Sequence, residues 1–111
     1  MLNLDDIRRQ ITDGLKTSPR PLKVILFGSY AGGIPHDDSD IDLVVILDRR
    51  GKSESYRSLI NNRMEISRRL RVLKRRYPVD ILVYTKDEWD ELRASESSFI
   101  QKIERDGIAI L

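Results

Sequence analysis

Three acidic residues and one Gly-Ser pair carry the chemistry legible in this chain. Asp40 and Asp42 stand in Ser39-Asp40-Ile41-Asp42, which runs straight into the apolar Leu43-Val44-Val45-Ile46-Leu47. Strand side chains alternate between faces, so Asp40 and Asp42 share one side and Ile41 and Leu43 the other. Two carboxylates one strand step apart repel each other, and the arrangement is costly without a compensating cation or solvent. A divalent cation compensates well. Asp80 interrupts a second apolar run, Val79-Asp80-Ile81-Leu82-Val83-Tyr84, where an unpaired buried charge would be expensive. If the two strands lie side by side, the three acids converge. Hard cations bind carboxylate and phosphate oxygens, and a pair of them ~3.5–4 Å apart clamps the attacking and leaving oxygens of a phosphoryl or nucleotidyl transfer. Gly28-Ser29, at the end of a third apolar run, suits a phosphate tail. Glycine lets backbone N–H groups approach it, and a following helix N-terminus favours its charge.

The segments around these residues must position them. Residues 3–16 have helical spacing, with Leu4, Ile7, Ile11 and Leu15 on one stripe, Asn3 as cap, and Asp5 and Asp6 at the positive end. Ser18-Pro19-Arg20-Pro21 breaks that helix. Residues 22–27 form a strand that delivers Gly28-Ser29 to one edge of a sheet. A brief helical turn over 29–32 and an exposed Gly/Pro loop follow, and residues 40–47 form the central strand. Tyr56 to Arg76 is expected as one long helix, with Leu59, Ile66, Leu70, Leu73 and Tyr77 inward, reinforced by Ile60 and Met64. Tyr77-Pro78 ends it, and 79–84 is the third strand. Thr85 and Glu88 have capping-box spacing before a helix that turns Trp89 and Leu92 inward. A last short helix carries Phe99, Ile100 and Ile103 and stops at Gly107. Ile108 to Leu111 is either an edge strand or an apolar tail that docks on a partner. Helices alternating with short strands give an α/β or α+β layer architecture.

Composition bounds the function. At 111 residues, 40% hydrophobic and 34% charged, the chain fits one soluble globular domain spanning 1–111. Cysteine is absent and His36 is the only histidine, which excludes disulfide frameworks and thiolate or histidine zinc sites. No segment has the ~18–20 consecutive apolar residues of a membrane span, and the first residues lack a signal-peptide pattern. The cytoplasm is therefore the expected compartment. Net charge is only +2, yet Arg68 to Arg76 reads RRLRVLKRR. That run is a nucleic-acid face, a partner face or a solvated helix side. No aromatic interleaves it, so Trp89 and the tyrosines are packing residues rather than base-stacking platforms.

Gly28-Ser29, then Asp40-Ile41-Asp42, then Asp80 within a strand together resemble the nucleotidyltransferase superfamily related to DNA polymerase beta. The short length and the Val-Asp-Ile-Leu-Val form of the third element resemble the minimal nucleotidyltransferases (MNT), the antitoxin halves of HEPN–MNT pairs. The resemblance spans Lys23 to Tyr84. It implies a small mixed sheet with helices packed against it, Asp40 and Asp42 holding Mg²⁺, and Asp80 completing a second metal site or accepting a proton. It also implies Gly28 and Ser29 against the β- and γ-phosphates of ATP. The implied acceptor is a hydroxyl, such as a tyrosine, on a HEPN toxin that AMP transfer would silence. The family pattern commonly has a basic residue before the second glycine of the loop. Gly32 stands there in this chain, which removes a possible phosphate contact. The alternative is a non-catalytic module that neutralises a HEPN partner by direct contact. A third reading is a small-molecule or RNA nucleotidyltransferase, whose larger relatives carry further domains.

Overall fold

Short apolar segments and period-3.6 amphipathic ones sort into three layers, the inner strands being apolar on both faces. The computed structural model describes residues 4–17, 19–28, 40–51 and 56–111. Its elements are α1 (Leu4–Leu15), β1 (Lys23–Phe27), β2 (Ile41–Leu47), α2 (Tyr56–Arg69), α3 (Arg71–Arg76), β3 (Val79–Thr85), α4 (Lys86–Ala94), α5 (Ser98–Asp106) and β4 (Ile108–Ala109).

The strands form one mixed sheet in the order β3-β2-β1-β4. β2 pairs parallel with β3 and antiparallel with β1, and β4 adds antiparallel to the far side of β1. β2 is therefore internal, and every one of its residues except Asp42 is buried. Alternation sends its side chains into two cores. Ile41, Leu43 and Val45 join Val24, Leu26, Ile81 and Val83 beneath Ile7, Ile11, Leu15, Ile66, Leu70 and Leu73 of the first three helices. Val44 and Ile46 join Ile25 on the opposite face, beneath Trp89, Ile100 and Ile103 of α4 and α5. The small mixed α/β sheet with helices packed against it is thus what forms. Of the two readings of the final segment, the edge strand is the one observed. The Ile110 N–H also donates to the Val24 carbonyl at 2.8 Å.

The long helix expected over Tyr56–Arg76 is two helices. At Leu70 the backbone opens to φ −104°, ψ 21°. Its N–H is shared between the Ile66 and Ser67 carbonyls at 3.0 and 3.2 Å, while the Lys74 N–H still reaches the Leu70 carbonyl. Met64 is not a core residue: it is 53% exposed. It sits two residues before buried Ile66, about 200° around the helix, so a stripe containing Ile66 and Leu70 excludes it.

The arginine run is not uniform either. The Arg69 Nε donates to the Gly14 carbonyl at 3.2 Å, and its two terminal nitrogens donate to the Pro19 and Thr17 carbonyls at 2.7 and 2.6 Å. This guanidinium satisfies carbonyls at and beyond the end of α1, a helix with no basic residue in its own last turn. Arg76 reaches Asp6 at the other end of α1. Arg68, Arg71 and Arg75 remain exposed. Arg69→Ala is expected to cost about 2 kcal/mol in urea unfolding, because several carbonyls lose a charged donor at once. Arg68→Ala is expected to stay within about 0.5 kcal/mol.

The capping box forms as its spacing requires. The Thr85 hydroxyl accepts from the Glu88 N–H at 3.2 Å, and Glu88 Oε1 accepts from the Thr85 N–H at 2.9 Å. The same hydroxyl donates to the Gly51 carbonyl at 2.6 Å, which ties the exit of β2 to the start of α4. Gly107 ends α5 with φ −71°, so its role is not a left-handed cap. A Cβ there would collide with the Ile103 carbonyl oxygen and come within 2.6 Å of Ile25 Cγ2.

Candidate active site

The strand registers bring the site together. Phe27 of β1 lies opposite Asp42 of β2, and Asp42 lies opposite Asp80 of β3. Directly opposed residues point to the same side of a sheet. Phe27, Asp42 and Asp80 therefore form one row across three strands. The row lies where antiparallel β1 ends and parallel β2 and β3 both begin. Its face is that of Val44 and Ile46, which α4 and α5 cover further along the strands. Solvent reaches this end: Asp42 is only half-buried and Asp80 is exposed. The Ile41 N–H donates to the Pro78 carbonyl at 2.9 Å, fixing the entries of β2 and β3 side by side. Asp40, one residue before β2, is exposed at the same mouth.

The three acids feel one another. Burial first, then the Asp80 charge, then the Asp40 charge, hold the Asp42 carboxyl above its ordinary value. Among the described residues, no hydrogen-bond donor or cation pairs with any of the three carboxylates. Nor, among those residues, is any group of three His, Cys, Asp or Glu side chains drawn tightly enough to hold a metal ion. The acids are neighbours by register and by field, and not a closed coordination set. An oxygen-only donor set at a solvent-reached strand end fits a hard divalent cation.

Gly28 completes the arrangement. Its φ is +76°, and a Cβ built on it would run into Asp42 Oδ2. Only glycine lets the β1 exit turn lie directly against the carboxylate. Gly28 is thus beside Asp42. Ser29, Gly32, His36 and the expected turn over 29–32 lie outside the described residues.

The row also holds a residue that sequence reasoning passed over. The Phe27 ring meets Phe99 of α5 edge to face, with centroids 5.9 Å apart and planes at 88°. The pair closes the β1 side of the row with apolar surface. Phe99 is 42% exposed, so the pair is reached by solvent.

A carboxyl whose folded pKa is raised binds more protons folded than unfolded, so stability falls as pH rises through the interval between the two values. For Asp42 that penalty is absent well below the ordinary carboxylate range and grows as pH rises through its raised value. Asp42→Asn is expected to melt on the order of 2 °C higher than wild type at pH 7, and at the wild-type temperature at about pH 2.5, where the carboxyl is protonated folded and unfolded. A lower melting temperature at pH 7 would show that Asp42 carries a stabilising contact instead.

The mixed sheet thus sets two acids side by side at its strand ends, with a glycine turn against one of them. Residues 9–111 match the family model described as Polymerase beta, Nucleotidyltransferase. The chain belongs to that family, and its function is of the nucleotidyltransferase type. No curated protein matches it. Among the described residues, no helix is long and apolar enough to cross a membrane.

Proposed function

We propose that this chain is a metal-dependent protein adenylyltransferase that moves AMP from ATP to a hydroxyl on a HEPN toxin and so acts as its antitoxin. The observation that carries the reading is the Asp42–Asp80 register pair with Gly28 against Asp42. Asp40 and Asp42 would hold Mg²⁺, and Asp80 would complete a second site. When bound, the metal neutralises charge on the phosphates and on the attacking and leaving oxygens. Gly28 and Ser29 take the β- and γ-phosphates, with Gly28 offering an approach that no side chain obstructs. Asp80 orients the acceptor hydroxyl and takes its proton. The hydroxyl oxygen forms a bond to the α-phosphorus, the bond from that phosphorus to the bridging oxygen breaks, and pyrophosphate departs. Catalysis rests on positioning and on charge placed in advance.

Labelled ATP with Mg²⁺ and the protein encoded beside this one tests the reading. The expected outcome is covalent label on the neighbour and a mass gain of one AMP, abolished by EDTA. Formation of the complex with no label under any divalent metal would favour neutralisation by contact.

A further inference from the structure

The outer edge of β3 carries a feature that the transfer scheme leaves unused. A recess of about 100 Å³ lies there, lined by Arg63, Ser67 and Lys74 from α2 and α3 and by Val79, Asp80 and Ile81 of the strand. Lys74 Nζ donates to Ser67 Oγ at 2.7 Å. Neither Arg63 nor Lys74 has a carboxylate partner among the described residues. The recess belongs to a strongly asymmetric surface. Residues 56–76 hold eight basic side chains and one acid, a net +7, so the remaining 90 residues carry −5 within a chain of net +2. The one acid, Glu65, is already paired with Arg49. Two large apolar side chains, Met64 and Val72, stand more than half exposed among these arginines.

Position gives the recess a role. An in-line displacement puts the attacking and leaving groups on opposite sides of the phosphorus. Across the sheet the order is Gly28 at the end of β1, Asp42 on β2 and Asp80 on the edge strand β3; the recess lies beyond that edge on the α2–α3 side, so an acceptor seated there reaches Asp80 round the open edge of β3. With the phosphate tail at Gly28, the acceptor approaches from the β3 side and crosses Arg63 and Lys74. We infer that the acceptor is an acidic protein segment, one of whose carboxylates seats between Arg63 and Lys74 while its hydroxyl faces Asp80. This inference rests on the proposed transfer for its geometry. The planar Arg63 fork matches a carboxylate. Exposed Met64 and Val72 on the same helices suit the apolar patches of a protein surface, and among the described residues no aromatic ring lines the recess to stack a base.

The test uses the whole chain and three probes at fixed salt: a fluorescent Glu-Glu-Tyr-Glu-Glu peptide, its Lys-Lys-Tyr-Lys-Lys counterpart, and a 20-nucleotide single-stranded RNA. The acidic peptide is expected to bind and the basic one not. Arg63→Gln with Lys74→Gln is expected to weaken acidic-peptide binding about fivefold to tenfold with an unchanged Tm. Arg68→Gln with Arg75→Gln serves as a charge-matched control and is expected to weaken it about twofold or less. Should the Gln pair unfold, Arg63→Lys tests the fork alone, with a loss of about threefold expected. Equal loss in both double variants, no acidic-peptide binding, or tighter RNA binding through Arg63 and Lys74 overturns the inference. Calorimetry with MgATP separates the two readings. Failure to bind nucleotide while the peptide results hold removes the transfer scheme and leaves the recess as an acidic-peptide site.

Discussion

Asp80→Asn is expected to reduce AMP transfer by at least about 10³-fold while leaving the fold and the partner complex intact. Asp80 is exposed at the start of β3 and its side chain makes no hydrogen bond or ion pair among the described residues, so the near-isosteric Asn removes no structural contact. What is lost is charge. Asn holds a hard cation poorly and cannot accept a useful proton. The variant also removes a like charge beside Asp42, so the Asp42 carboxyl is expected to titrate closer to its ordinary value. Intact mass of the mixed proteins reads transfer, gel filtration reads the complex, and NMR titration reads Asp42. Under the transfer scheme, cells carrying Asp80→Asn lose protection although the complex forms. Persistent protection would show that contact alone silences the toxin. Unchanged transfer would make Asp80 an ordinary surface acid.

Gly28→Ala is the second large effect. The substitution meets two penalties. A side chain at φ +76° costs about 1–2 kcal/mol, and the new Cβ occupies the place of Asp42 Oδ2. The carboxylate must rotate away from the row, which takes the proposed metal ligand out of register. A fall of at least about 100-fold in transfer is expected, with a loss of about 2 kcal/mol in urea unfolding. Gly51 supplies the control. Its φ is +82°, and nothing lies within 4 Å of its Cβ position. Gly51→Ala therefore carries the same backbone penalty without the collision. It is expected to lower stability by about 1 kcal/mol and to leave transfer unchanged. Equal activity losses in the two variants would trace the effect to stability rather than to the contact with Asp42.

Much of this molecule was readable residue by residue because the relevant physics is local. Side-chain alternation put Asp42 on the face opposite Ile41 and Leu43. Helical spacing found the buried Ile7, Ile11 and Leu15, and the Thr85–Glu88 spacing found the capping box. The motif residues Gly28, Asp40, Asp42 and Asp80 were legible as types at given positions. Their neighbourhood was not, because register is a property of pairs of strands. Asp42 and Asp80 come together through a parallel pairing whose connection runs through α2 and α3, and no local preference specifies that alignment. The exchange of roles within the arginine run has the same origin. Arg69 differs from Arg68 by one residue, about 100° of helix. That rotation turns one guanidinium to solvent and the other onto the carbonyls that end α1, so the difference exists only once α1 has packed against α2. Met64 and Gly107 follow the same rule: the first is exposed by the direction in which α2 docks, and the second is required by the approach of Ile25. Periodicity dictated what each segment would become. Packing between segments decided which residues meet, since contact energies depend on distances that only the assembled sheet and its two helical layers set.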